Sequence, residues 1–126
     1  MTYSFSRCIN TLDSVMKKIT YNIEEKENLT LMRDSGGRIV AMQPSCTIGS
    51  DIATLGQKVF SKGVHEVPVR TMGIIVELHE PFSAGHTSDV IGVWYEGNHR
   101  ALRMQFGELT GMPIGKITAD GIRSIS

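Results

Sequence analysis

The chain has 126 residues with 13 basic and 13 acidic side chains, so its formal net charge is zero. This length fits one domain, and the charge balance excludes a strongly basic nucleic-acid coat protein, although a local basic patch remains compatible with it. The apolar fraction of 40% allows a packed core and argues against intrinsic disorder.

The first 15 residues are polar and weakly patterned, unlike the rest of the chain. We interpret residues 1–15 as a terminal extension or a short helix, and residues 16–126 as a single mainly-β domain. Cys8 and Cys46 lie far apart in sequence, which favours two free thiols. Because the N-terminus also lacks an apolar run, we expect a cytoplasmic protein without a membrane span.

Residues 16–45 have the pattern of a β-hairpin unit. Ile19, Tyr21 and Ile23 alternate with polar neighbours, as in a half-buried strand. Two apolar runs, 29–33 and 38–42, then flank Asp-Ser-Gly-Gly at 34–37, which predicts a β-hairpin. We expect one of the two glycines to adopt a positive φ and Pro44 to end the second strand.

The second half of the chain predicts further short strands. Residues 46–55 are ambiguous, with Ser50 or Asp51 suited to cap one helical turn. Alternating or β-branched runs predict strands near 57–60, 71–78 and 90–95, with an exposed loop at 79–88. Residues 100–106 fit both a strand and a helix, and the neighbouring strands favour a strand. One or two short tail strands are expected around 119–121.

Residues 56–112 resemble an SH3-like small barrel of the kind found in KOW modules. The resemblance lies in the order of elements: Gly-Gln-Lys-Val at 56–59, Gly-Ile-Ile-Val-Glu-Leu at 73–78, Val-Ile-Gly-Val-Trp-Tyr at 90–95, and a Gly-Glu-Leu ending typical of a 3₁₀ turn. The fold expected is a hairpin unit (16–45) packed on this barrel, with tail strands at 113–126. The resemblance implies a binding module for nucleic acid or protein segments rather than an enzyme.

The same stretch is also similar to the plasmid-borne, trimethoprim-insensitive dihydrofolate reductases, which are small barrels that act as tetramers. Their Val-Gln-Ile-Tyr site motif falls on Met-Gln-Phe-Gly at 104–107. Gln105 matches, but Gly107 replaces the tyrosine, so the activity does not transfer to this chain.

The candidate binding residues surround the tight turn at 96–99. They are Trp94, Tyr95, Asn98, His99, Arg100 and Arg103. Aromatic faces and guanidinium groups stack on bases or anchor protein interfaces. Strand alternation directs either Trp94 or Tyr95 into the core, so at most one of these two rings is exposed. A lesser basic cluster along one edge comprises Lys58, Lys62, Arg70 and His65.

The sequence contains no recognisable catalytic or metal-binding motif. The spacing of His65, His79, His86 and His99 fits no compact zinc motif, and no nucleophile elbow or phosphate loop occurs. Glu77 and Glu80 form a candidate carboxylate pair without a nearby nucleophile. We therefore expect no catalytic residue, metal or cofactor.

The leading functional hypothesis is a non-enzymatic β-barrel binding or adaptor protein that recognises a protein or a nucleic acid. A phage- or plasmid-type inhibitor of a host system is one form of it. Because short β-rich chains close their exposed edges by self-association, we also expect a homo-oligomer. The alternatives are an oligomeric protein that binds a small ligand or nucleotide, and a small-barrel reductase.

Overall fold

The structure, a computed structural model, describes residues 20–44, 49–81 and 89–124. These residues form strands joined by turns and one short 3₁₀ turn, which confirms the prediction of a mainly-β fold. No helix in these three ranges is long and apolar enough to span a membrane. The segment 1–15, both cysteines and His86 lie outside the described residues.

The first sheet contains four antiparallel strands. They are β1 (Asn22–Glu25), β2 (Leu29–Arg33), β3 (Ile39–Pro44) and β4 (Ala53–Thr54), in the order β1-β2-β3-β4. The predicted hairpin joins β2 to β3 and is confirmed. Asp34 Oδ1 accepts hydrogen bonds from the backbone N–H groups of Gly36 and Arg38, both at 3.0 Å. Gly37 is the turn residue with a positive φ, at 86°.

The helical turn predicted from Ser50 or Asp51 is wrong. Asp51 instead forms a backbone bridge to Ile114, and the chain then enters β4. The N–H of Ile52 donates to the carbonyl of Pro113 at 2.9 Å, so pairing with the tail satisfies backbone groups that a helix would have bonded internally.

The second sheet contains five antiparallel strands. They are β5 (Lys58–Ser61), β6 (Met72–Leu78), β7 (Ile91–Tyr95), β8 (Leu102–Met104) and β9 (Leu109–Thr110), in the order β8-β7-β6-β5-β9. The strand predicted over 100–106 is confirmed for β8 and ends before Phe106. There a 3₁₀ turn, Phe106–Glu108, begins, and its Glu108 carboxylate accepts the Gln105 N–H at 2.9 Å.

The predicted tail strands are confirmed as a separate hairpin. β10 (Gly115–Thr118) pairs with β11 (Gly121–Ser124) in antiparallel register. Gln43, buried on β3, joins this hairpin to the first sheet. Its Nε2 donates to the carbonyl of Gly115 at 2.6 Å, and its Oε1 accepts the N–H of Ile117 at 3.4 Å. A buried amide thus provides the hydrogen bonds that this junction requires.

One apolar core lies between the two large sheets. Leu31 and Met42 of the first sheet pack in the same cluster as Val59, Ile75 and Tyr95 of the second. A smaller cluster lies beneath the tail hairpin and is made by Met32, Ala41, Ile52 and Ile117. The hairpin unit and the five-stranded sheet therefore bury their apolar faces against each other.

An ion-pair network reinforces this contact at the hairpin end. Arg33 donates to Glu24 of β1 at 2.9 Å and to the carbonyl of Gly37 at 2.9 Å. Its guanidinium also binds Glu80, which follows β6. One half-buried arginine therefore links two strands of the first sheet to the end of the second.

We predict that Gly37→Val destabilises the fold by about 1 kcal/mol or more, because a β-branched side chain resists the left-handed backbone of this turn. The measurement is the midpoint of urea denaturation. Gly36→Val is the matched control, since Gly36 has no positive φ and its added Cβ would meet Asp34 Oδ1 at an ordinary 3.5 Å. Equal midpoints for the Gly37 variant and the wild type would contradict the prediction.

Candidate contact surface on the outer sheet face

The contact between Tyr95 and Gly73 fixes which side chains of the second sheet face the core. These two residues are directly paired across β6 and β7, and Tyr95 is fully buried. A Cβ at Gly73 would lie only 2.8 Å from Tyr95 Cδ1 and 2.7 Å from Val93 Cγ1. The tyrosine ring therefore occupies the space that a side chain at 73 would fill. Because side chains alternate along a strand, Trp94 points to the opposite face.

That opposite face is exposed, and we call it the outer face. It carries Lys58, Phe60, Met72, Ile74, Glu77, Trp94, Arg103 and Thr110. The strand register arranges most of these residues in rows across the sheet. One row runs from Lys58 through Ile74 to Trp94, and the next from Thr110 through Phe60 to Met72.

The centre of the outer face is apolar. Trp94 is 43% exposed and Phe60 is 38% exposed, and the half-buried Ile74 and Met72 lie on β6 between their strands. A single exposed apolar residue is ordinary, but a contiguous group with two aromatic rings is typical of a contact site.

Both aromatic rings are held in place by the fold. The indole Nε1 of Trp94 donates to the carbonyl of Asn98 at 3.1 Å, which ties the ring to the turn after β7. The ring of Phe60 lies against Gly111, where an added Cβ would be 3.2 Å from its Cδ2. The rings therefore lose little conformational entropy when a partner binds.

Cations flank the apolar centre. Lys58 lies two residues from Phe60 on β5, and Arg103 lies on β8 at the far side of Trp94. Neither forms an ion pair with a described carboxylate. The acidic side chain on this face is Glu77, whose Oε1 lies 2.8 Å from His79 Nε2. Lys58 and Arg103 are therefore cations without a described ion pair, and the exposed Glu96, whose N–H donates to the carbonyl of Met72 at 3.1 Å, adds a carboxylate at the edge of the face.

The residues predicted from the sequence divide among three places. Trp94 and Arg103 lie on the outer face, whereas Tyr95 is in the core and does not contribute to a surface. Asn98 positions Trp94 through its carbonyl, and its N–H donates to the carbonyl of Tyr95 at 3.1 Å. His99 and Arg100 are exposed on the turn that leads toward β8.

Sequence reasoning missed Phe60, Met72 and Ile74 as site residues and placed Lys58 only in the lesser basic cluster. Their link to Trp94 is strand register, which no local pattern in the sequence reveals. The lesser cluster is divided as well. Lys62 Nζ donates to the carbonyl of Gly107 at 3.0 Å, and His65 Nε2 lies 3.0 Å from Glu108 Oε2, so both bind the 3₁₀ turn.

A cleft of about 210 Å³ lies between β3 and the end of β6. Its lining combines apolar Ile39, Leu55 and Leu78 with the charged Arg38 and the Glu77–His79 pair. The two candidate carboxylates have different partners: Glu80 binds Arg33, whereas Glu77 Oε1 lies 2.8 Å from His79 Nε2. Across the described ranges, no three His, Cys, Asp or Glu side chains gather as a metal site.

The phenol of Tyr95 is the buried polar group that the core leaves unpaired. Among the described residues its hydroxyl has no hydrogen-bond partner, and the nearby Ser61 Oγ instead donates to the carbonyl of Val67 and accepts from the N–H of Gly63. Burial, with a smaller contribution from the charge of Glu108, raises the pKa of Tyr95 to about 12. The phenol therefore stays neutral and acts as a packing group.

Comparison with known proteins gave no match to a family model, a curated protein or a solved structure.

We predict that stability falls as the pH rises from 10.0, the ordinary pKa of the phenol, toward the raised value of about 12. The unfolded chain ionises Tyr95 first, so alkali favours unfolding. Tyr95→Phe should weaken this decline and cost little at neutral pH, because the hydroxyl has no partner to lose. Urea denaturation at neutral pH and at about pH 11 measures both effects, with Tyr21→Phe as the control. The same alkaline decline in Tyr95→Phe as in the wild type would refute this role.

Proposed function

We propose that the chain is a non-enzymatic binding protein that contacts a macromolecular partner through its outer face. The observation that carries the proposal is the pair of exposed, fixed aromatic rings, Trp94 and Phe60, on neighbouring rows of one sheet face. Hot spots of binding are enriched in aromatic residues and arginine and lie at the centre of the contact. The apolar centre with flanking charges on this face has that arrangement.

We further propose that residues 56–112 form an SH3-like barrel and that its loops and sheet present the contact residues. The strand order β8-β7-β6-β5-β9 supports this assignment, as does the 3₁₀ turn between β8 and β9. Such a barrel supports many unrelated functions, so the proposed activity depends on the surface and not on the fold.

We predict that Trp94→Ser and Arg103→Ala each abolish or strongly weaken capture of a partner from cell extract while both variants remain folded, as circular dichroism shows. Arg100→Ala should weaken capture less, because Arg100 lies on the adjoining turn. Captured proteins are identified by mass spectrometry and captured nucleic acids by sequencing. A residue that serves the contact alone can be replaced without unfolding the chain, whereas a structural residue cannot.

Ile114→Ser is the control variant, since Ile114 is an exposed apolar residue that bridges to Asp51 and lies outside the five-stranded sheet. It should retain the wild-type set of captured partners. If Trp94→Ser and Ile114→Ser capture the same partners in the same amounts, the outer face is not the contact surface.

A further inference from the structure

We infer that the partner of the outer face is a single-stranded nucleic acid, with bases stacked on Trp94 and Phe60 and the backbone bound by Lys58 and Arg103. This inference rests on the proposed function, because it names the partner of the same surface.

The two rings are placed for consecutive contacts along one extended strand. Trp94 is on β7 and Phe60 is on β5, so β6 lies between them, and the neighbouring rows put the two positions roughly 12 Å apart at the usual strand geometry. The side chains of Ile74 and Met72 lie between the two rings and protrude less from the sheet, because both are half-buried. Exposed aromatic rings on a sheet are the platform on which unpaired bases stack, whatever their sequence.

Two cations on the face, Lys58 and Arg103, are available to contact a phosphate backbone. Lys58 lies in the same row as Trp94 and on the same strand as Phe60. Its ammonium is therefore close to the path that a strand stacked on both rings would follow. Arg103 lies on the other side of Trp94 and pairs with Gly92, over which the Glu77 side chain packs. Neither cation forms an ion pair with a described carboxylate, and Glu77 is held by His79, while the exposed Glu96 places a negative charge beside Met72 at the edge of the face.

The size of the face argues against a folded protein or a second copy as the partner. Four strand spacings by about five residues give an area on the order of 350 Å². A stable protein–protein contact buries about 800 Å² per partner, twice as much. A few stacked nucleotides need only a narrow track, and two unpaired cations on a second copy would repel their equivalents.

Fluorescence of Trp94, the single tryptophan of the chain, measures the contact directly. The probes are thymidine and uridine oligomers of about 12 nucleotides, with a duplex of the same length as the comparison. We expect the single strands to change the emission and the duplex to bind more weakly, because its bases are already stacked. Binding should weaken with salt, with a slope of roughly −1.4 in a log–log plot for two phosphate contacts.

Variants separate stacking from general apolar contact. Phe60→Leu keeps an apolar side chain but removes the ring, and it should weaken binding by about fivefold or more. Lys58→Ala should reduce the magnitude of the salt slope by about 0.7, whereas Arg123→Ala, an exposed cation on β11, should leave the slope unchanged. Circular dichroism of each variant confirms that it is folded before binding is compared.

Unchanged fluorescence with both oligomers at about 50 mM salt would overturn the inference. If Trp94-dependent capture of a protein from extract persists in that case, the proposed function stands with a protein partner. If that capture is also absent, both the single-stranded nucleic-acid partner and the proposed binding function are refuted. An affinity that does not change with salt concentration, or that is the same in Phe60→Leu as in the wild type, would likewise refute the inference that a single strand stacks on the two rings.

Discussion

The packing of the Tyr95 ring over Gly73 determines how the second sheet presents its residues. The space beside Val93 holds the ring only because residue 73 has no side chain. Because the Tyr95 side chain lies in the core and successive side chains of a strand point to opposite faces, Trp94 on β7 points outward. The same pairing places Ile74 beside Trp94, and the next strand places Lys58 beside Ile74. The contact surface is therefore a consequence of how the core is packed.

The first sheet supports this arrangement from behind. Leu29 and Leu31 of β2 and Met42 of β3 are fully buried in the cluster that also holds Tyr95. A small five-stranded sheet alone would leave one side of that core open, and burial of apolar area is the main favourable term in folding. The Arg33 network holds the covering sheet at the end of β6. The outer face is thus the side of the second sheet that remains available to a partner.

Features set by local chemistry were predictable from the sequence, and features set by pairing across distance were not. The hairpin at 34–37 follows from a turn that needs a positive φ, and Gly37 supplies it. The opposite orientations of Trp94 and Tyr95 follow from alternation within one strand. Phe60 joins Trp94 only through the register of β5, β6 and β7, which has a bulge between Ile75 and Glu77. That bulge leaves both Val76 and Glu77 exposed, contrary to simple alternation.

Chemical-shift mapping of the ¹⁵N-labelled chain with a thymidine oligomer locates the contact surface without altering any residue. We expect the shifted amides to lie on β5 to β9 around Phe60, Ile74, Trp94 and Arg103, and the amides of β10 and β11 to stay unchanged. Shifts concentrated instead at the cleft around Arg38 and His79, with Trp94 unaffected, would contradict this expectation.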